Sequence, residues 1–181
     1  GPGADPFADE RYTLDVGPDG ARLEAPAAGG VLRGLATMQQ LVRVGADGTR
    51  ARAVHVEDAP RFSWRGLMLD VARHFVAKDE ILRTLDAMES VKLNVLHLHL
   101  SDNEGFRVES RRYPRLTAYG SSGGQFYTQA DIRAIVAAAR DRGIRVVPEI
   151  EMPGHVQSIL VAYPELGSSS KPMARGRRPD T

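Results

Sequence analysis

Hydrophobic and polar positions alternate along the first part of the chain in a way that predicts a small α/β unit over residues 1–60. Tyr12, Leu14 and Val16 alternate with Thr13 and Asp15, the period of a half-buried strand. Gly17-Pro18-Asp19-Gly20 is a turn signal, and Ala21, Leu23 and Ala25 alternate after it, which predicts a hairpin. Gly29-Gly30 opens a three- and four-residue spacing of Val31, Leu32, Leu35, Met38, Leu41 and Val42, so a helix is expected to bury that face. A strand over Ala53–Val56 comes next, and Asp58-Ala59-Pro60 closes the unit. The unit is small for an independent core and is expected to pack on the rest of the chain.

From Phe62 the rhythm becomes strand, helix, strand, helix, strand. Gly66–Val71 is short and apolar, as expected of a strand buried on both faces. Ile81, Leu82, Leu85, Met88 and Val91 mark a helix beginning near Asp79, and Asn94–Leu100 reads as a second strand. Thr128-Gln129-Ala130-Asp131 resembles a capping box, with Asp where Glu or Gln is usual. It opens a helix carrying Ile132, Ile135, Val136 and Ala139, with Gly143 as a left-handed cap. Ile144–Ile150 is a third strand. This alternation implies an α/β fold with a parallel sheet and right-handed crossovers. Polar residues gather just past the strand ends: Asp70, then Asp102 and Glu104, then Glu149, Glu151 and His155. A (β/α)8 (TIM) barrel distributes its chemistry in this way. The connection from Ser101 to Tyr127 is long, which favours a functional loop. An open doubly wound sheet also fits the alternation, but its glycine-rich phosphate loop is replaced here by Ala72-Arg73-His74-Phe75.

Composition narrows the function classes. A net charge of +1 over 181 residues gives no field that argues for nucleic acid or an anionic membrane. No apolar run approaches the roughly 18 residues of a membrane span. Without cysteine there is neither a disulfide nor thiolate chemistry, and the redox compartment stays open. Gly1-Pro2-Gly3-Ala4-Asp5 shows no charged start, no apolar signal core and no Met, so a processed or partial chain is expected, of unknown localisation.

Three patches offer chemistry. Arg65 comes directly after Trp64, ahead of the first barrel strand. It either forks two hydrogen bonds to vicinal hydroxyls, with Trp64 as an apolar wall, or pairs with a barrel carboxylate. His97 and His99 lie two apart on a strand and point together, as a metal pair or as two satisfied core histidines. Asp102, just past that strand, is the better working group. Glu149 and Glu151 also share a face, and His155 stands after a Pro-Gly turn that aims it back over the strand ends. Two carboxylates and a histidine there tune a pKa or bind a polar substrate, or are a surface turn.

Several long blocks then resemble one family in order. WRGLMLDVARHF, KLNVLHLHLSDNEGFRVES, YPRLTAYG, FYTQADIRAIVAAARDRGIRVVPEIEMPGH and AYPEL are similar to successive stretches of the family 20 β-N-acetylhexosaminidases. TMQQL and VEDAPRF resemble the end of that family's small N-terminal α/β domain. The resemblance implies a barrel enzyme without cofactor or metal that removes terminal GlcNAc or GalNAc with retention. The substrate's own acetamido oxygen is the nucleophile in that chemistry. Carried over by position, Arg65 resembles the arginine that binds the sugar's 3- and 4-hydroxyls. Asp102 and His155 resemble the supporting pair that holds the acid/base Glu, which predicts that they lie within hydrogen-bonding reach. Glu151 stands where the family usually has Asp, while Asn103, Glu104 and Phe106 replace a common Asp, Gln and Trp.

The family's Asp–Glu pair comes after the fourth barrel strand in a GGDE-like motif, and this sequence contains none. Past Leu166 the match fades, and residues 167–181 read as a tail. Residues 61–166 are thus expected to form an incomplete barrel of about three strands out of eight. Its open edge is expected to be completed by a second copy or a missing C-terminal half. Two competing readings are a metal-dependent barrel hydrolase using His97, His99 and Glu149, and an inactive sugar-binding or scaffold half-barrel.

Overall fold

The computed structural model describes residues 9–121 and 123–168, so most of the expected 167–181 tail lies outside the described residues. The N-terminal alternation gives β1 (Tyr12–Gly17) and β2 (Gly20–Glu24), joined by the expected turn with Gly17 opposite Gly20. Helix α1 (Ala28–Leu41) is next, then β3 (Val42–Gly45), β4 (Gly48–Ala51) and β5 (Val54–Asp58). The first sheet is antiparallel in the order β2-β1-β5, and α1 packs across it. The β3–β4 hairpin was not anticipated: its strands are short and exposed, and only Asp47-Gly48 marks its turn.

Helix α1 buries a different face from the one its large apolar residues suggest. Gly30, Arg33, Gly34 and Ala36 are buried, whereas Val31 and Leu35 are exposed and Val42 already belongs to β3. Close approach explains this. A Cβ at Gly30 would stand 2.0 Å from the backbone oxygen of Arg11, and one at Gly34 would stand 2.2 Å from Leu23 Cδ1. The helix lies so near the sheet that only small residues fit between them.

The second part is built from β6 (Gly66–Asp70), α2 (Lys78–Ser90), β7 (Val95–His99), α3 (Arg115–Ala118), α4 (Gln129–Asp141), β8 (Arg145–Glu149) and α5 (Gln157–Ala162). Strands β6, β7 and β8 are parallel neighbours in that order. Leu96 and Leu98 face α2 and α4 in a core with Ile81, Leu85, Met88, Ile135 and Ala139, all fully buried. Leu67, Leu69, Ile132 and Val146 pack against it. The opposite face carries Met68, His97 and Val147 in register, and Met68 is 52% exposed. Strand β6 is therefore covered on one face only, a correction to its expected double burial. Val91 and Val136 are likewise exposed at the rims of their helices. The capping box forms as expected: Thr128 Oγ1 accepts from the Asp131 amide at 3.1 Å, and Asp131 Oδ2 accepts from the Thr128 amide at 3.0 Å. Gly143 is left-handed, with φ 62°.

Candidate active site

Register places the site. Asp70, His99 and Glu149 are the last residues of β6, β7 and β8 and stand side by side in the parallel ladder. Their side chains share one face of the sheet at its C-terminal end, where a β/α barrel puts its chemistry.

Asp102 is the hub. It is 1% exposed. Its Oδ2 meets His99 Nε2 at 2.9 Å and Arg73 Nη2 at 2.6 Å. Its Oδ1 accepts from the Asn103 amide at 2.6 Å and meets His155 Nδ1 at 3.0 Å. Burial pushes the Asp102 carboxyl up, but these donors outweigh burial and hold it below the ordinary carboxylate range. The loop itself is pinned, since Ser158 Oγ donates to the Asp102 carbonyl at 2.5 Å and the Asp102 amide donates to Gly105 O at 3.0 Å.

His155 reaches Asp102 from the turn after β8. A left-handed backbone at His155, φ 54°, belongs to the reversal that returns the ring over the strand ends. Half of the His155 side chain is exposed, so one edge of the ring meets Asp102 while the rest faces the open side of the cluster. The expected hydrogen-bonding reach between Asp102 and His155 is therefore present.

His99 is almost wholly buried and meets carboxylates with both nitrogens: Asp102 at Nε2 and Glu149 Oε1 at Nδ1, 3.1 Å away. Burial pushes the His99 imidazole down, but contact with Asp102 and Glu149 overcomes this and raises it above the ordinary histidine value. His97 Nε2 meets the other Glu149 oxygen at 2.5 Å, so His97 and His99 do turn together, towards one carboxylate. Burial raises Glu149, while a carboxyl–carboxyl hydrogen bond with Glu151 and contacts with both histidines bring it below its usual value. The Glu151 amide is fixed by Ser101 Oγ at 3.0 Å. His99, Glu149 and Glu151 bring ligand atoms within 4.8 Å of one another, close enough for a cation. In this arrangement both His99 nitrogens already face carboxylates, the geometry of a ring that donates on both sides rather than of a ligand with a free lone pair.

Two participants, Arg73 and Arg107, escaped the reading of the sequence, which singles out Asp70 alone at this strand end. Asp70 Oδ1 caps the Ala72 and Arg73 amides at 3.1 and 3.0 Å, and its Oδ2 meets Arg73 Nη1 at 2.5 Å. This turn aims Arg73, whose side chain is 38% exposed, into the cluster beside Asp102. Arg107, fully buried, donates to the carbonyls of Val71 and Ala72 and so braces the same turn from the long Ser101–Tyr127 loop. An Arg three residues after a strand-ending Asp was the available signal.

Arg65 is not in the cluster. It precedes β6, at the N-terminal end of the sheet, and its Nη2 donates to Glu10 Oε1 and Oε2 at 2.7 and 2.8 Å. Its Nε and Nη1 donate to the carbonyls of Lys92 and Phe62. Arg65 thus pairs with a carboxylate, but one from the N-terminal unit rather than the expected barrel carboxylate, and the strand's polarity sets it at the end of the sheet away from the cluster.

Parallel strands with carboxylates and imidazoles converging past their C-terminal ends are the arrangement of one portion of a β/α barrel. Residues 62–179 match the model of the family 20 glycosyl hydrolase catalytic domain, and residues 3–59 match the model of that family's domain 2. The chain belongs to glycosyl hydrolase family 20. It is 43% identical to a β-N-acetylhexosaminidase of Cellulomonas fimi over 92% of the chain and 35% of the relative. It is 45% identical to the β-hexosaminidase subunit beta of Felis catus over 83% of the chain and 29% of that protein. Among solved structures, the chitobiase of Flavobacterium johnsoniae aligns with a TM-score of 0.86 at 44% identity, over 91% of the chain and 25% of that protein. The Streptomyces plicatus N-acetyl-β-hexosaminidase, solved in complex with Thio-NAglucal, aligns with a TM-score of 0.83 at 39% identity, over 96% of the chain and 38% of that protein. The chain thus spans about a third or less of the length of the curated relatives it matches.

Proposed function

We propose that this chain supplies the supporting part of a β-N-acetylhexosaminidase site, acting in the whole protein on glycans that end in β-linked GlcNAc or GalNAc. Residues 1–60 form the small domain in this reading and residues 61–166 the first part of the barrel. The observation that carries it is the buried Asp102 held against His155, with His155 still open on its other side. That geometry fixes a proton on His155 Nδ1 and leaves Nε2 to meet an acid/base carboxyl from the next barrel strands.

The reaction then runs in two steps. The acetamido oxygen of the substrate forms a bond to the anomeric carbon while the bond to the leaving oxygen breaks, and that oxygen takes the carboxylic proton. Water next attacks the anomeric carbon, losing its proton to the same carboxylate, and the ring formed by the acetamido group opens. The Asp102–His155 pair steadies the charge that the carboxylate gains and loses. Arg73 is the cation that reaches the open side of the cluster, and it takes the hydroxyl-binding role expected of Arg65. Glu151, fixed over Ser101, contributes a polar wall to the substrate.

The 181-residue chain contains no GGDE-like motif, so it is expected to give no turnover of a chromogenic aryl β-N-acetylglucosaminide above buffer. Turnover abolished by Glu149→Gln or Glu151→Gln would place the acid/base group within these residues and overturn this division of labour.

A further inference from the structure

The supporting pair has a third member. His99 sits between Asp102 and Glu149 with one nitrogen on each, and its side chain is only 6% exposed. A neutral imidazole donates through one nitrogen only, so two carboxylate partners require both nitrogens protonated. The Oδ2 that His99 holds is one of two oxygens that Asp102 presents, and fixing it sets the plane of the carboxylate. Oδ1 is thereby left in line with His155 Nδ1. Arg73 also reaches Oδ2, but its side chain is partly exposed and tied to Asp70 as well. His99 is the buried side chain on Oδ2, as the Asn103 amide is the fixed donor on Oδ1.

We infer that His99 is a positioning residue: by clamping Oδ2 of Asp102 it orients Oδ1 onto His155 and so selects the Nδ1-protonated form of that ring. The inference rests on the Asp102–His155 pairing used in the proposed function. It adds that the pairing depends on the histidine at the end of β7 and on one particular nitrogen of it. Nδ1, bound to Glu149, anchors the ring to β8; Nε2 does the positioning.

The test separates the two nitrogens in the 181-residue chain. Gln at position 99 places its amide nitrogen near that of Nε2, whereas Asn places its amide nitrogen near that of Nδ1. The readout is the 15N-histidine spectrum at about pH 7.5, where free imidazole is already mainly neutral and favours the Nε2-protonated form, with His155 assigned through His155→Gln. The native chain and His99→Gln are expected to show His155 protonated on Nδ1. In His99→Asn the two nitrogen resonances of His155 should exchange character as the ring reverts to the Nε2-protonated form. A role limited to filling space would make Gln and Asn behave alike, so identical spectra for the two variants overturn the inference. If both keep Nδ1 protonated, His99 does not position Asp102, yet the Asp102–His155 pair stands. If the native chain already shows the Nε2-protonated form, the pair itself fails, and the proposed function fails with it.

Discussion

Asp102 and His99 link their ionisation to folding in opposite directions. The lowered carboxyl of Asp102 contributes stability above its unfolded value of about 3.9 and loses it as pH falls through the folded value. The raised imidazole of His99 contributes stability that is complete below about 6.5, its unfolded value, and is lost as pH rises through the folded value. The stability advantage of the native chain over His99→Gln, measured by urea unfolding, is therefore expected to shrink as pH rises from about 6 to about 9. An advantage that grows over that range would contradict the ion-paired state. Removing the hub is harsher: Asp102→Ala takes from the buried His99 one of its two carboxylates and from Arg73 one of its partners, and should cost about 3–5 kcal/mol in the same measurement. Asp102 and His155 were legible in the sequence because their motifs fix both residue type and place in the strand order. The choice between Arg65 and Arg73 was legible too, had strand direction been applied: one precedes β6 and the other comes after it, and a barrel's chemistry gathers at the C-terminal ends.

Elements were read well where a period and a cap agreed. Helix α4 carries both, and its box is worth testing: Thr128→Ala should lose about 1 kcal/mol by thermal or urea unfolding, with no change in fold. Helix α1 was placed correctly but turned wrongly, because hydrophobic spacing weighs large side chains and ignores what glycine permits. Gly30 faces the backbone of Arg11, just ahead of β1, and Gly34 faces Leu23, so Ala at either position needs space that does not exist. Gly30→Ala meets a rigid carbonyl and should destabilise by more than about 3 kcal/mol, beyond the usual range for overpacking. Gly34→Ala meets a side chain that rotates, and is expected to cost less. Equal effects, or none, would mean that α1 does not lie against the sheet as described. The contacts that set this packing lie across the fold, which is why periodicity within the helix did not reveal them.

At the scale of the molecule, the small domain and the barrel segment are tied by buried charge at the end opposite the site. Glu10, 5% exposed, accepts from Arg33 of α1 and from Arg65 ahead of β6, and burial is outweighed by these two cations, keeping its carboxyl low. Arg33 goes on to the Gly143 carbonyl at 2.8 Å, just past α4. Lys92 adds a second tie, reaching Tyr12 Oη and Asp58 Oδ2 at 2.9 Å each. Glu10→Ala should leave Arg33 buried and unpaired and lower stability by about 3–5 kcal/mol in urea, while leaving the His155 spectrum unchanged. Nothing in the sequence announced this junction, because Glu10 and Arg33 gain meaning only when the two parts meet. The sheet face with exposed Met68 and the outer edges of β6 and β8 are uncovered among the described residues. The most direct test exchanges the matching third of the Cellulomonas fimi relative for this chain and measures hydrolysis of an aryl β-N-acetylglucosaminide. The chimera is expected to be active, with His155→Ala and Arg73→Ala each lowering kcat/KM by about 100-fold or more. A folded, active chimera indifferent to both substitutions would mean that the Asp102–His155–Arg73 cluster does not serve the reaction.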